Sequence, residues 1–224
     1  MNATYSLLHR DDQLLVVDKA PGVLTVGNPR SRQRCLLDDL RRDGHAVAPV
    51  HRLDRETSGV LLLCLDPAVR ADLELAFRER DVTKHYLALV HGRPKPERAQ
   101  IDLPILDAGA TARVDRRGRS AVTRYEVLET FDAAGVTAAL LRLEMLTGRH
   151  NQIRVHLAHI GHPLLGDDKY GRRPRGSARL APRCMLHAEQ LALRHPRGGR
   201  RLSFRAPPPD DFERCRRRLD GEDG

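Results

Sequence analysis

One stretch of the chain, His51 to Asp66, reads HRLDRETSGVLLLCLD: a carboxylate between two arginines, a Thr-Ser-Gly step, then an apolar run with the character of a buried strand. In an extended segment alternate side chains share a side, so Arg52 and Asp54 project together while Leu53 packs inward. An aspartate at the mouth of a strand can serve as nucleophile or base when a nearby cation keeps it ionised and water is excluded. The same residues would also make a plain ion pair or turn cap, worth little. A second stretch, LTGRHNQIRVHLAHIGHPLLGDDKYG from Leu146 to Gly171, sets Arg149 at a helix entrance and Arg154 in its first turns. Backbone N–H groups there favour anions. It also holds His150, His156, His159 and His162, but no HExxH motif or cysteine pair accompanies them, so they read as structural or phosphate-facing and no metal is expected. In a third stretch, TKHYLALV, Tyr86 begins a strand and would alone be an ordinary strand aromatic.

The elements that must hold these residues follow from turn signals and periodicity. Asp11 to Val26 reads as strand, Pro21-Gly22 turn, strand. After VLLLCL, Asp66-Pro67 caps a helix whose apolar stripe is Val69, Leu73, Ala76 and Phe77. TKHYLALVHG is a strand, RPKPERAQ a connector and GATARVDRRGRS a basic loop or hairpin. Strands follow at AVTRYEVLE and VTAALLRLEML, the latter with Ala139, Leu141, Leu143 and Met145 on one face. The helix QIRVHLAHIG buries Ile153, Leu157 and Ile160, leaving Gln152, Arg154, His156 and His159 on its other faces, and Gly161 stops it. RRPRGSARLAPR is a basic loop, followed by strands MLHAEQLAL and RRLSFRAP and a helix near DDFERCRRRL. Strands with short connections outnumber helices, which predicts an α+β fold with a mainly antiparallel sheet flanked by helices.

At 224 residues the chain suits one domain with short extensions. The reading is an extension over 1–10, a catalytic domain over 11–207 and a charged C-terminal helix or tail over 208–224. Thirty-nine Lys plus Arg against thirty Asp plus Glu leave a net charge of +9, which favours a polyanionic partner. Only Lys19, Lys84, Lys95 and Lys169 are lysines, so this charge is arginine, with its bidentate phosphate-binding fork. Cys35, Cys64, Cys184 and Cys215 are too scattered for a zinc ribbon or a disulfide framework, which fits a reducing cytosol. The N-terminus lacks a signal-peptide pattern and no apolar run approaches a membrane span, so the expectation is a soluble cytoplasmic monomer. Aromatics are 4%, too few for an extended base-stacking platform.

Taken together and in this order, the three stretches resemble the RluA-type family of RNA pseudouridine synthases. The family's His-Arg-Leu-Asp followed by Thr-Ser-Gly stands at His51 to Gly59, its tyrosine motif at KHYLALV, and its Gly-Arg, Gln-Ile-Arg, His and Gly-His-Pro-Leu-Gly-Asp signals between Gly148 and Asp167. The similarity runs from about Asp12 to about Pro207. It implies the pseudouridine synthase fold, a bent, mainly antiparallel sheet with a central catalytic cleft. Asp54 would be the catalytic aspartate, Tyr86 the ring against the target uracil, and Arg154 the partner of the Asp54 carboxylate. Arg52, His51, Arg149 and Gln152 would contact RNA, Arg52 helping to hold the flipped nucleotide. No cofactor is implied, since one ionised carboxylate can open the reaction.

Two departures stand out: His150-Asn151 replaces the usual Thr-His or Ser-His, where Asn can still cap a helix, and Lys19-Ala20-Pro21-Gly22 replaces Lys-Pro-x-Gly. Relatives often carry a small RNA-binding domain first. Here only about ten residues precede the first expected strand, which leans the substrate towards tRNA or a compact ribosomal RNA stem-loop. Two rivals differ in kind. A non-catalytic RNA-binding or assembly protein would not need Asp54, Tyr86 and Arg154 together, and a glycosidase or nucleosidase would show a second acidic motif.

Overall fold

The computed structural model describes residues 3–27, 33–133, 135–171 and 181–221. The first half of the chain forms strands β1 (Tyr5–Arg10), β2 (Leu14–Lys19), β3 (Ala48–Pro49), β4 (Ser58–Cys64) and β5 (Thr83–His91), with helices α1 (Leu36–Arg42) and α2 (Arg70–Arg78). The second forms β6 (Arg98–Asp102), β7 (Ile105–Asp107), β8 (Ala112–Val114), β9 (Val122–Ala133), β10 (Val136–Met145), α3 (Gln152–His159), β11 (Leu186–Arg194), β12 (Arg201–Arg205) and α4 (Asp210–Asp220). These elements divide into two compact units, Met1–Lys84 with Ala188–Pro207, and His85–His187 with Pro208–Gly224.

In the first unit β1, β2 and β4 form an antiparallel ladder, β4 lies beside β11, and β12 pairs antiparallel with β11. All seven residues of β4 are buried, so its apolar run packs on both faces. Val16, Val60 and Leu62 form one core with Val69 and Leu73 of the α2 segment and with Leu191, Leu193 and Leu202. Asp66 caps the short turn that leads into α2, its carboxylate accepting the Ala68 N–H at 2.9 Å, as the sequence pattern predicts. Three expectations change. Tyr5–Arg10, read as an extension, is the edge strand β1. The second strand expected after the Pro21-Gly22 turn is absent, and Leu24 makes only an isolated parallel bridge to Cys35. Helix α1 escaped the periodicity because seven residues give less than two full repeats, yet it buries Leu36, Leu37 and Leu40.

In the second unit β5, β10, β9 and β6 run antiparallel in that order, with β7 and β8 as a separate hairpin. Strand β10 is buried on both faces, not one: Leu141 and Leu143 are 0% exposed, and Ala138 and Leu140 are also covered. The second face has α4 against it, since Phe212, Cys215 and Leu219 share a core with Leu87, Leu89, Ala138 and Leu140. The helix expected near DDFERCRRRL is thus present as α4, and it completes a core instead of standing outside the domain as a charged extension. Of the basic loop read at 172–183, residues 172–180 lie outside the described residues. No described helix is long and apolar enough to cross a membrane.

Candidate active site

In the first unit Asp54 sits half-buried in a tight turn, its carbonyl accepting the Thr57 N–H at 3.1 Å. Leu53 is buried, as the alternation predicted, and Arg52 is exposed, without an ion pair or hydrogen bond among the described residues. Two buried polar side chains pin this turn. Thr25, 2% exposed, donates its hydroxyl to the Leu53 carbonyl at 3.0 Å and accepts the Leu53 N–H at 3.3 Å. Lys19, 0% exposed, donates from Nζ to the carbonyls of Ala20 and Val23 at 2.8 Å and of Arg55 at 3.2 Å. One amine therefore ties the end of β2, the Pro-Gly turn and the residue after Asp54. A buried cation survives only with such partners. The Lys19 charge also opposes the effect of burial on its neighbour Asp18, whose carboxyl is still pushed up.

Gly59, the second residue of β4, has φ 110°, and a Cβ there would stand 2.2 Å from the Ala188 carbonyl oxygen, so only glycine fits. His51, expected as an RNA contact, is engaged in the fold. Its Nε2 accepts the Leu62 N–H at 3.0 Å, so the proton of the neutral ring is on Nδ1, and the ring stacks on Phe77 at 4.6 Å. Burial, with a smaller push from Lys84, holds its pKa down at about 3.

In the second unit Tyr86 lies on β5 opposite Leu143 of β10 and is 6% exposed. Helix α3 departs from the amphipathic expectation, because Gln152 and His156 are buried along with Ile153, Val155 and Leu157. A chain of hydrogen bonds makes this tolerable. Gln152 Oε1 accepts the Thr147 hydroxyl at 2.7 Å and the Arg149 N–H at 3.0 Å, while its Nε2 donates to the Val122 carbonyl and to Thr123 Oγ1, both at 3.0 Å. Thr123 donates onward to His156 Nδ1 at 2.9 Å, and His156 Nε2–H donates to the Leu103 carbonyl at 2.9 Å. Burial lowers the His156 pKa, consistent with a neutral ring. The Gln152 side chain thus uses all four of its hydrogen-bonding positions to join the helix entrance to β9.

Arg154, its side chain 12% exposed, binds the fully buried Asp167 through both edges of its fork, Nε to Oδ2 at 2.8 Å and Nη2 to Oδ1 at 2.7 Å. Burial alone would raise the Asp167 carboxyl. The Arg154 bonds and charge, with the N–H groups of Tyr170 and Lys169, outweigh it and hold the pKa below the usual range. The Arg154 guanidinium lies 5.2 Å over the Tyr170 ring, whose hydroxyl accepts from the Ala112 N–H and the Asn151 amide, each at 2.9 Å. Asn151 makes no side-chain cap and instead takes a left-handed backbone, φ 51°, that asparagine adopts more readily than most residues. This departure from the family motif thus has a local role in positioning Tyr170 under Arg154. Arg149 donates from Nε to the Ser120 carbonyl at 3.0 Å, and His150 pairs with Asp107 at 3.1 Å.

Of the residues singled out in the sequence, His51, Arg52 and Asp54 share one loop of the first unit, and Arg149, Gln152 and Arg154 share the α3 entrance of the second. Sequence reasoning missed Lys19 and Thr25 as supports of the Asp54 turn, and Asp167 as the anchor of Arg154. A faint signal existed for Lys19, a lysine closing an apolar strand just before Pro-Gly. Among the described residues no group of three or more His, Cys, Asp or Glu is placed to hold a metal ion.

Residues 13–159 match the family model described as RNA pseudouridylate synthase. The chain is 39% identical over 206 residues to the dual-specificity RNA pseudouridine synthase RluA of Escherichia coli strain K12, covering 90% of this chain and 92% of the relative. It is 36% identical to an uncharacterized RNA pseudouridine synthase of Mycobacterium bovis, covering 97% of this chain and 73% of that one. Among solved structures, human RNA pseudouridylate synthase domain containing 1 superposes with a TM-score of 0.78 at 30% identity, over 94% of this chain and 87% of the other.

Proposed function

Because the chain belongs to the RNA pseudouridylate synthase family and is an RNA pseudouridine synthase, we propose that Asp54 starts the isomerisation and that the substrate is a uridine in a tRNA or a compact ribosomal RNA stem-loop. The reaction breaks the bond from the ribose C1′ to ring N1, turns the freed uracil and joins C1′ to ring C5. The C5 proton is then lost and N1 gains one, so the product is an isomer and no redox partner is consumed. Asp54 begins this either by attacking C1′ or by removing a ribose proton, and both routes need the ionised carboxylate.

The observation that carries this reading is the pinned turn: Lys19 and Thr25 fix the backbone on either side of Asp54, which is itself only partly buried. Such fixation suits a group that must meet a reacting atom in one geometry. The remaining roles rest on the family's motifs. Tyr86 offers the face on which a flipped base stacks, and Arg154 is the partner of the Asp54 carboxylate, held in one pose by Asp167. Arg52 and Arg149 contact phosphates, and Gln152 serves RNA binding by shaping the loop that carries Arg149. The dual specificity in the name of the Escherichia coli relative supports a site that accepts more than one RNA, and nothing in the comparisons favours a non-catalytic protein.

The test is Asp54→Asn, which keeps size and removes charge. The variant should fold and bind RNA as the wild type does, yet form no pseudouridine in single-turnover assays on total tRNA and ribosomal RNA followed by nucleoside chromatography. Substantial turnover by the folded variant would overturn the assignment.

A further inference from the structure

The first unit carries a second cluster of cations that the reaction does not use. In the β11–β12 register Arg194 stands directly opposite Arg201, where like charges destabilise a ladder. Arg80 follows α2 with φ 66°, a left-handed conformation uncommon outside glycine. These three arginines, with Thr83 and the single acid Asp81, line a pocket of about 160 Å³. Among the described residues neither the Arg80 nor the Arg201 side chain makes an ion pair or hydrogen bond, and the Arg194 side chain reaches only the Gly199 carbonyl at 3.5 Å. Of the carboxylates near this hairpin, Asp11 is engaged by His195 and Asp66 by Arg197, which leaves Asp81 as the one acid lining the pocket against three arginines. The Arg80 charge is also felt by Lys84, whose pKa burial and this neighbour together push down to about 8. Three arginines thus share one small polar pocket with a single acid, an excess of positive charge that an anion seated there would offset.

The position of the pocket indicates its ligand. The Asp66–Arg197 pair places the hairpin beyond the Cys64 end of β4, while the Asp54 turn precedes the Ser58 end. Seven strand residues separate these ends, roughly 20 Å at the usual rise. We propose that the Arg80–Arg194–Arg201 pocket binds a backbone phosphate of the substrate RNA more than one nucleotide away from the uridine that reacts. This rests on the enzyme's being an RNA pseudouridine synthase and adds an anchor that sets how far along the RNA recognition extends.

The test compares wild type with Arg194→Ala/Arg201→Ala and with Arg201→Lys. Both positions are exposed, so folding should survive, and removing two opposed charges should leave the melting temperature unchanged or raise it. RNA affinity of the double variant should fall about tenfold or more. Its log-log salt slope should flatten by about 0.7–0.9 per lost contact. The single-turnover rate at saturating RNA should stay at the wild-type value, and Arg201→Lys should recover part of the affinity. Equal affinity and salt slope in wild type and double variant would overturn the proposal while leaving the enzyme's activity intact. Stabilisation of wild type, but not of the double variant, by inorganic phosphate with equal RNA affinities would assign the pocket to a free anion and equally overturn it. Absence of pseudouridine formation by wild type on total RNA would instead sink the reading beneath it.

Discussion

Replacing Lys19 by Met keeps the length and most of the volume of the side chain and removes one amine from three carbonyl oxygens. Each bond to a charged donor contributes about 1.5–3 kcal/mol, and stripping the donor leaves its carbonyls unsatisfied. Against this, the buried ammonium no longer has to be desolvated, which offsets several kcal/mol. We expect a net loss of about 2–4 kcal/mol, or about 5–15 °C in melting temperature for a chain of this size. The catalytic effect should exceed the stability effect in kind. The carbonyl of Arg55, one residue past Asp54, loses its tether, and a displacement on the order of 1 Å at a reacting group can cost about 100-fold in rate. Single-turnover pseudouridine formation well below the melting transition should therefore slow by about 10–100-fold, with RNA affinity unchanged. Thermal melting, RNA binding and single-turnover kinetics on one preparation decide the matter. A folded Lys19→Met protein that melts lower but reacts at the wild-type rate would show that the amine stabilises the unit without positioning the aspartate.

Arg154→Met strands the buried Asp167 carboxylate and should cost about 3–5 kcal/mol, read as a lower chemical-denaturation midpoint. Adding Asp167→Asn should recover part of that stability without restoring turnover, and full recovery of turnover would remove Arg154 from the reaction. His51 is held neutral with its pKa near 3, so the unfolded chain takes up a proton below about pH 6.5 that the folded ring refuses. Stability from this ring is therefore whole above about pH 6.5 and declines, by at most about 1.4 kcal/mol per pH unit, as pH falls towards 3. His51→Gln, which can still accept the Leu62 N–H, should show a shallower decline in urea titrations, and equal slopes would contradict the neutral-ring assignment. Tyr86→Phe keeps the stacking face, so RNA binding should stay close to wild type, and a large loss of affinity by fluorescence anisotropy would mean the hydroxyl holds the RNA directly.

The parts of this molecule that a linear reading recovers are those whose cause is local. Leu73, Ala76 and Phe77 of α2, with Val69 just before it, fall on one stripe because the period of a helix is written in neighbouring residues, and β5, β11 and β12 declare themselves by apolar runs between turn signals. The HRLD segment announced a carboxylate at a strand mouth for the same reason. What failed was non-local. Gln152 and His156 look solvent-facing until Thr123 and Leu103, tens of residues away, are there to satisfy them. Lys19 looks like a surface charge until the Asp54 turn folds over it, and β1 becomes a strand only because β2 offers an edge. Polar burial is decided by partners distant in sequence, and periodicity carries no information about them.

The assignment of residues 208–221 to the second unit bears on how the chain matures during synthesis. The core around Leu87, Leu89 and Leu140 is closed by Phe212, Cys215 and Leu219, and the core around Val16, Val60 and Leu62 by Leu191, Leu193 and Leu202. While a ribosome is still adding residues up to about 187, both cores lack a wall, so an early apolar strand such as β4 has β2 and α2 to pack against but not the strands that close its core. Domains usually close in order, the N-terminal one first. Here the interleaved chain path denies the nascent polypeptide that sequence of events.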